Sequence, residues 1–248
     1  MVGDLTGDSA NGPGAAAEAP SMATLEGKLS GIGMTSVRTR ARMIERLREQ
    51  GIRDEVVLAA VSAVPRHIFV DEALAIRAYD DSPLPIGHGQ TISQPWVVAR
   101  MTELARNGRE LERVLEIGTG CGYQTAVLAQ IAAEVYSVER IGALVAKARR
   151  ILQSLKVKNV RLKHGDGSVD LGEDLAVDAI VVTAAATHVP SALLKYLKPG
   201  GRMVLPLTQR DAPGEGLQRL MVLDATPGGY REQMLDAVRF VPLLSGLA

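Results

Sequence analysis

The chain has 248 residues, 46% of them apolar, with 28 lysines and arginines against 28 aspartates and glutamates. That length and apolar content support one large α/β domain, alone or with an unstructured tail, and the balanced charge leaves no global field to recruit nucleic acid or an anionic membrane. Cys121 is the only cysteine, so an internal disulfide and a cysteine-rich metal site are excluded, and the absence of an apolar run near the ~18–20 residues of a bilayer span makes a soluble, cytoplasmic protein the expectation.

Residues 1–35 are rich in Gly, Ala, Ser and Pro and carry no aromatic residue, which predicts a disordered tail ahead of one domain over 36–248. From Thr39 to Gln50 apolar and charged residues alternate at helical spacing; Gly51 ends that run, and Asp54 caps a second helix reaching about Val64 before Pro65. The arginines 38, 40, 42, 46 and 48 are interleaved with Glu45 and Glu49, which reads as a solvated helix face. Residues 79–95 have few helix formers and many turn formers, the composition of a long functional loop. Pro95 suits a first helical turn, so WVVARMTELAR continues as an amphipathic helix. Thr91 and Ser93 then lie in the lead into a helix N-terminus, where hydroxyls and amides suit a carboxylate; Ser93 reads equally well as a simple N-cap.

The organising stretch is VLEIGTGCGYQT, residues 114–125. Val114–Ile117 reads as a buried parallel strand, Gly118, Gly120 and Gly122 with Thr119 between them as an open turn, and Tyr123 as a helix start. A dinucleotide fingerprint wants a third glycine three residues after the second, and Tyr123 stands there. Glu116, two residues before the turn, would repel a pyrophosphate and pair with an ammonium. S-adenosyl-L-methionine, with an ammonium, a carboxylate and no phosphate, suits the turn better than NAD. Residues 133–140 predict a second strand ending in Glu139, placed to take both ribose hydroxyls or else a surface charge at a strand end. A helix over Gly142–Leu155 leads to a third strand ending in Asp166 and Gly167, where the carboxylate could accept from an adenine amino group or simply start an Asp-Gly turn. Further strands follow over 177–186 and 197–207, and two last strands, antiparallel, meet across a Gly-Gly turn. The expected fold is α/β: a doubly wound, mostly parallel, seven-stranded Rossmann-like sheet with N-terminal helices. The four histidines show no metal-ligand spacing, so no metal is expected.

LPIGHGQTISQP, VLEIGTGCGYQTAVLA, the VER after the second strand, HGDG, DAIVVTAA, LKPGG with VLPL, and VRFVPL stand in an order that resembles the protein-L-isoaspartate O-methyltransferase family over roughly residues 38–248. The resemblance implies methyl transfer from S-adenosyl-L-methionine, leaving S-adenosyl-L-homocysteine, to the free α-carboxylate of L-isoaspartyl residues in damaged proteins and peptides. It assigns Ser93 as the active-site residue, Thr91 and Ile92 to the substrate loop, and Glu116, Gly118, Thr119, Gly120, Gly122, Glu139, Asp166 and Gly167 to the cofactor. Its partners would be isoaspartyl proteins, with neither nucleic acid nor membrane, and a monomer is favoured. Cys121 stands where many members carry serine, and SVDLGEDL replaces an aromatic stretch after HGDG. A methyltransferase with another acceptor, or a non-catalytic module that binds S-adenosylmethionine, are the alternatives.

Overall fold

The computed structural model describes residues 31, 33–172, 174–209 and 216–248. Most of the tail expected over 1–35 lies outside the described residues, while Gly33–Thr35 form a 3-10 turn that leads directly into the first helix. Ser36 caps that helix, α1 (Val37–Glu49), and the Asp54 carboxylate accepts from the amides of Val56 and Val57 to cap α2 (Glu55–Ala63), as the sequence predicts. The arginine face of α1 is only partly solvated. Arg48 pairs with Glu45 and Glu55 at the surface, but Arg40 donates to the Ser62 carbonyl and Arg46 to the Tyr79 carbonyl.

Two 3-10 turns, Arg66–Phe69 and Glu72–Arg77, lead into the segment expected to be a plain loop. It contains a small antiparallel hairpin, β1 (Leu84–Gly87) and β2 (Gln90–Ile92), joined at His88 and Gly89, both with positive φ. Positive φ at both central residues is the turn geometry whose twist matches paired strands. α3 (Pro95–Arg106) follows, with Pro95 in its first turn and Asn107 ending it in the left-handed region.

The remaining strands are β3 (Leu111–Ile117), β4 (Ala132–Glu139), β5 (Val160–His164), β6 (Val177–Val182), β7 (Leu197–Thr208), β8 (Gln218–Thr226) and β9 (Gly229–Val238). They form one seven-stranded sheet in the order β5-β4-β3-β6-β7-β8-β9. β5 through β7 run parallel, and β8 and β9 join by antiparallel pairing. α4 (Tyr123–Leu128) and α5 (Gly142–Ser154) complete the first two crossovers, and a single turn of helix, α6 (Ser191–Leu194), precedes β7. α4 ends at Leu128, and β6, expected to reach 186, ends at Val182, after which Ala185 and Ala186 make isolated bridges to Pro242 and Leu207.

The period of two along a strand sorts β3 between two cores. Val114 packs with Met101, Leu128 and Val181 on the α3 and α4 side, while Leu115 and Ile117 pack with Ile180, Val182 and Met203 on the other. Glu116 shares the parity of Val114, so its carboxylate is driven under α4 rather than out at the strand end. The sheet order reverses between β3 and β6, and the crevice beyond their carboxyl ends is where ligands collect in open α/β sheets.

Candidate active site

The glycine turn after β3 forms the floor of that crevice. Gly118, Gly120 and Gly122 have φ of +97°, +56° and +91°. A Cβ on Gly118 would lie 2.3 Å from the Thr183 hydroxyl, which itself donates to the carbonyls of Gly118 (2.6 Å) and Ile117 (3.0 Å). Only glycine fits that position, because the φ is positive and the neighbouring strand end touches the backbone. Glu139, at the tip of β4, accepts from the Gly120 amide (2.8 Å) through one oxygen and from the Ile141 amide (2.9 Å) through the other. Each carboxylate oxygen retains acceptor capacity toward the crevice.

Of the expected cofactor residues, Gly118, Gly120, Glu139 and Gly167 line this crevice. Glu116 does not. It is wholly buried beneath the turn, where Thr125 and Ser137 each donate to it at 2.5 Å, and Thr119 and Ser137 are hydrogen-bonded at 2.5 Å. Burial pushes the Glu116 carboxyl up to about 8, although the two hydroxyl donors pull it down. Burial thus favours the protonated form, and from beneath the turn Glu116 supports Thr125 and Ser137 rather than lining the crevice. Asp166 does not line the crevice either. Its oxygens accept from the Ser168 amide and hydroxyl (2.8 and 2.6 Å) and from the Gly246 amide (2.6 Å). Burial would raise its carboxyl, but those donors hold it below the ordinary carboxylate value. The Asp-Gly turn reading therefore describes the Asp166 side chain, and the adjoining Gly167 lines the crevice. A Cβ on Gly167 would meet the Ile117 side chain at 2.4 Å.

Sequence reasoning missed the crevice's other wall, which comes from the far end of the chain. Val241–Leu244 line it, held by Ala185, whose amide donates to the Val241 carbonyl and whose carbonyl accepts from the Leu243 amide (both 2.8 Å). The last residues then cross both strand tips. Ala248 exchanges backbone hydrogen bonds with Arg140 (2.8 Å) and Gly142 (2.9 Å), and Arg140 donates to the Gly246 carbonyl. VRFVPL was legible as a motif, but nothing in its pattern says which strand tips it returns to.

A second pocket adjoins the first. It is lined by Thr91, Ile92 and Ser93 from the end of the hairpin and by Thr119, Cys121 and Tyr123 from the glycine turn and the start of α4, and Gly118, Gly120, Thr91 and Thr183 line both pockets. Gln94, not Ser93, occupies the N-cap position of α3, and the Ser93 hydroxyl has no hydrogen-bond partner among the described residues. The N-cap reading of Ser93 is thus replaced by that of a free hydroxyl at the pocket wall. Ile92 is buried and anchors β2 in the core. Cys121 is buried as well, and burial pushes its thiol up to about 11, which makes it a small apolar residue rather than a nucleophile.

The family model for protein-L-isoaspartate(D-aspartate) O-methyltransferase matches residues 38–248. The chain belongs to that family. It is 62% identical over 219 residues to the protein-L-isoaspartate O-methyltransferase of Dechloromonas aromatica, covering 88% of this chain and 99% of the relative, and 59% identical over 218 residues to that of Methylobacillus flagellatus, covering 88% and 97%. Among solved structures, a Plasmodium falciparum protein assigned as a protein-L-isoaspartate O-methyltransferase, in complex with S-adenosyl-L-homocysteine, superposes with a TM-score of 0.68 at 26% identity, covering 82% of this chain and 97% of that one. A second protein-L-isoaspartate O-methyltransferase structure gives a TM-score of 0.73 at 26% identity, covering 84% and 67%. The family match starts near the first residues of α1 and ends at Ala248, so the carboxyl-terminal strap is included in what is matched.

Proposed function

We infer that this chain is an S-adenosyl-L-methionine-dependent enzyme that methylates the free α-carboxylate of L-isoaspartyl residues in proteins and peptides. The observation that carries the reading is the junction of the two pockets: Gly118, Gly120, Thr91 and Thr183 line both, so a cofactor in one meets an acceptor in the other across the glycine turn. The crevice fits the cofactor by its own chemistry, with the Glu139 carboxylate at the rim, a floor that excludes even a Cβ at Gly118, and Gly167 opposite. When bound, S-adenosyl-L-methionine supplies an electrophilic methyl group on a sulfonium.

The chain's own residues then have a limited task. A carboxylate with pKa near about 3.5 is ionised at neutral pH, so no general base is required. Ser93 holds one carboxylate oxygen through its free hydroxyl, with Thr91 beside it, while Glu139 and the turn fix the cofactor. Orientation and exclusion of water supply the acceleration. Isoaspartyl proteins are the proposed partners and a monomer the proposed state. No helix of the described residues is long and apolar enough to cross a membrane, and a cytoplasmic setting is part of the same proposal.

The test uses methyl-labelled S-adenosyl-L-methionine with matched peptides carrying isoaspartate or aspartate. Base-labile label on the isoaspartyl peptide alone is the expected result. Equal label on both, or none, would sink the acceptor assignment, and cofactor binding without any turnover would favour a non-catalytic module.

A further inference from the structure

Arg66 is fully buried, yet its two terminal nitrogens have no hydrogen-bond partner among the described residues. Burying a guanidinium without a carboxylate is costly, and an apolar side chain of similar volume would ordinarily serve stability better. What Arg66 does touch is specific. Its Nε donates to the Ala78 carbonyl at 2.7 Å, and its guanidinium lies over the Tyr123 ring, 4.8 Å from the centroid. Phe69 closes the same ring edge-on at 5.4 Å.

Both contacts lead to the acceptor pocket. Tyr123 lines it together with Thr91, Ile92 and Ser93. Ala78 begins the stretch that carries that segment, and the next residues are pinned around it: the Tyr79 carbonyl accepts from Arg46 (2.5 Å), the Tyr79 hydroxyl bonds His67 (2.8 Å), and Asp81 accepts from the Trp96 amide (3.1 Å) just beyond Ser93. Arg66 is the side chain among these that also reaches the cofactor-side wall. Burial pushes its guanidinium down from the ordinary value, while Tyr123, Cys121, Tyr79 and Asp81 favour the cation.

We propose that Arg66 is a positioning residue for the acceptor site: by bonding Ala78 and stacking on Tyr123 it fixes the distance between the substrate loop and the cofactor turn. This rests on reading the Thr91–Ser93 pocket as the acceptor site. The isoaspartyl peptide should therefore feel the loss of Arg66 and the cofactor should not.

The experiment measures binding of isoaspartyl and aspartyl peptides in the presence of S-adenosyl-L-homocysteine, and of S-adenosyl-L-homocysteine alone, for the wild type, Arg66→Met, Arg66→Lys and Val61→Ala. The last removes bulk from a fully buried residue of α2 that lines neither pocket. Arg66→Met should weaken isoaspartyl-peptide binding tenfold or more, leave cofactor binding within twofold, and raise KM more than it lowers kcat. Arg66→Lys should recover part of the loss, and Val61→Ala should leave the peptide unaffected. Should Arg66→Met fail to fold, Arg66→Gln, which keeps a donor for Ala78, carries the same comparison and the same expected weakening. Unchanged peptide binding in the folded variant, or equal losses of peptide and cofactor matched by Val61→Ala, would overturn the inference alone. A wild type that does not distinguish the two peptides would overturn the acceptor reading and the inference with it.

Discussion

The Gly120 amide donates to the Glu139 carboxylate at 2.8 Å, joining the turn after β3 to the tip of β4. The same carboxylate takes the Ile141 amide, so one side chain sets the shape of both edges of the cofactor crevice. Hydrogen bonds to a charged group contribute about 1.5–3 kcal/mol each. Glu139→Gln keeps one acceptor and loses the charge. Calorimetric titration should show cofactor affinity falling on the order of tenfold or more, and an unchanged Kd would remove Glu139 from the binding site.

Gly118→Ala meets two obstacles. The residue would hold a positive φ, which costs about 1–3 kcal/mol, and its Cβ would strike the Thr183 hydroxyl. Removing that hydroxyl as well, in Gly118→Ala/Thr183→Ala, relieves the collision but not the strain. Cofactor binding should be lost in the single variant and only partly restored in the double one. Full restoration would show that collision alone mattered.

Glu116 makes the protein's stability depend on pH in a definite direction. Its carboxyl is raised from the ordinary 4.5 to about 8 by burial, so between those values the folded chain holds a proton that the unfolded chain has released. The stability from this group is complete at low pH and is lost as pH climbs through the window toward about 8. Glu116→Gln cannot titrate, so its Tm should fall less than that of the wild type between pH 5 and 8. Parallel Tm curves would show that Glu116 is ionised in the fold.

Ser93→Ala deletes a hydroxyl that has no partner among the described residues, so stability should barely change. Turnover on an isoaspartyl peptide should fall while the cofactor Kd stays within about twofold, since a lost hydrogen bond to a charged group is worth about 1.5–3 kcal/mol. Normal turnover would remove Ser93 from the catalytic role.

The carboxyl-terminal strap gives a test of cofactor exchange. Ending the chain at Ser245 deletes the Gly246 amide from Asp166, the Gly246 carbonyl from Arg140, and the Ala248 pairs with Arg140 and Gly142. Stopped-flow displacement should show faster release of S-adenosyl-L-homocysteine from the truncated protein. Equal release rates would mean that the strap does not restrain the crevice.

Much of the fold was local and therefore legible. The capping role of Asp54, the Pro95 helix start, the strand–turn–helix at 114–125 and the antiparallel last pair all follow from short-range preferences that the tertiary structure reinforces. The β1–β2 hairpin was hidden because its turn rests on a positive φ at His88 rather than on two glycines. Arg40 and Arg46 looked solvated because helical spacing reports a face and not what packs against it.

The glycine turn and the acid at the end of β4 are readable in one dimension, because both follow from position within one strand–helix–strand unit, and so is the place of Ser93 ahead of a helix. The roles of the other carboxylates come from packing between distant segments. Strand parity turns Glu116 under α4, where burial pushes its carboxyl up, and the returning chain end bonds Asp166 through Gly246. The same packing sets Arg66 between Ala78 and Tyr123. Contacts of that kind join residues far apart along the chain, and no periodicity or spacing in one dimension encodes them.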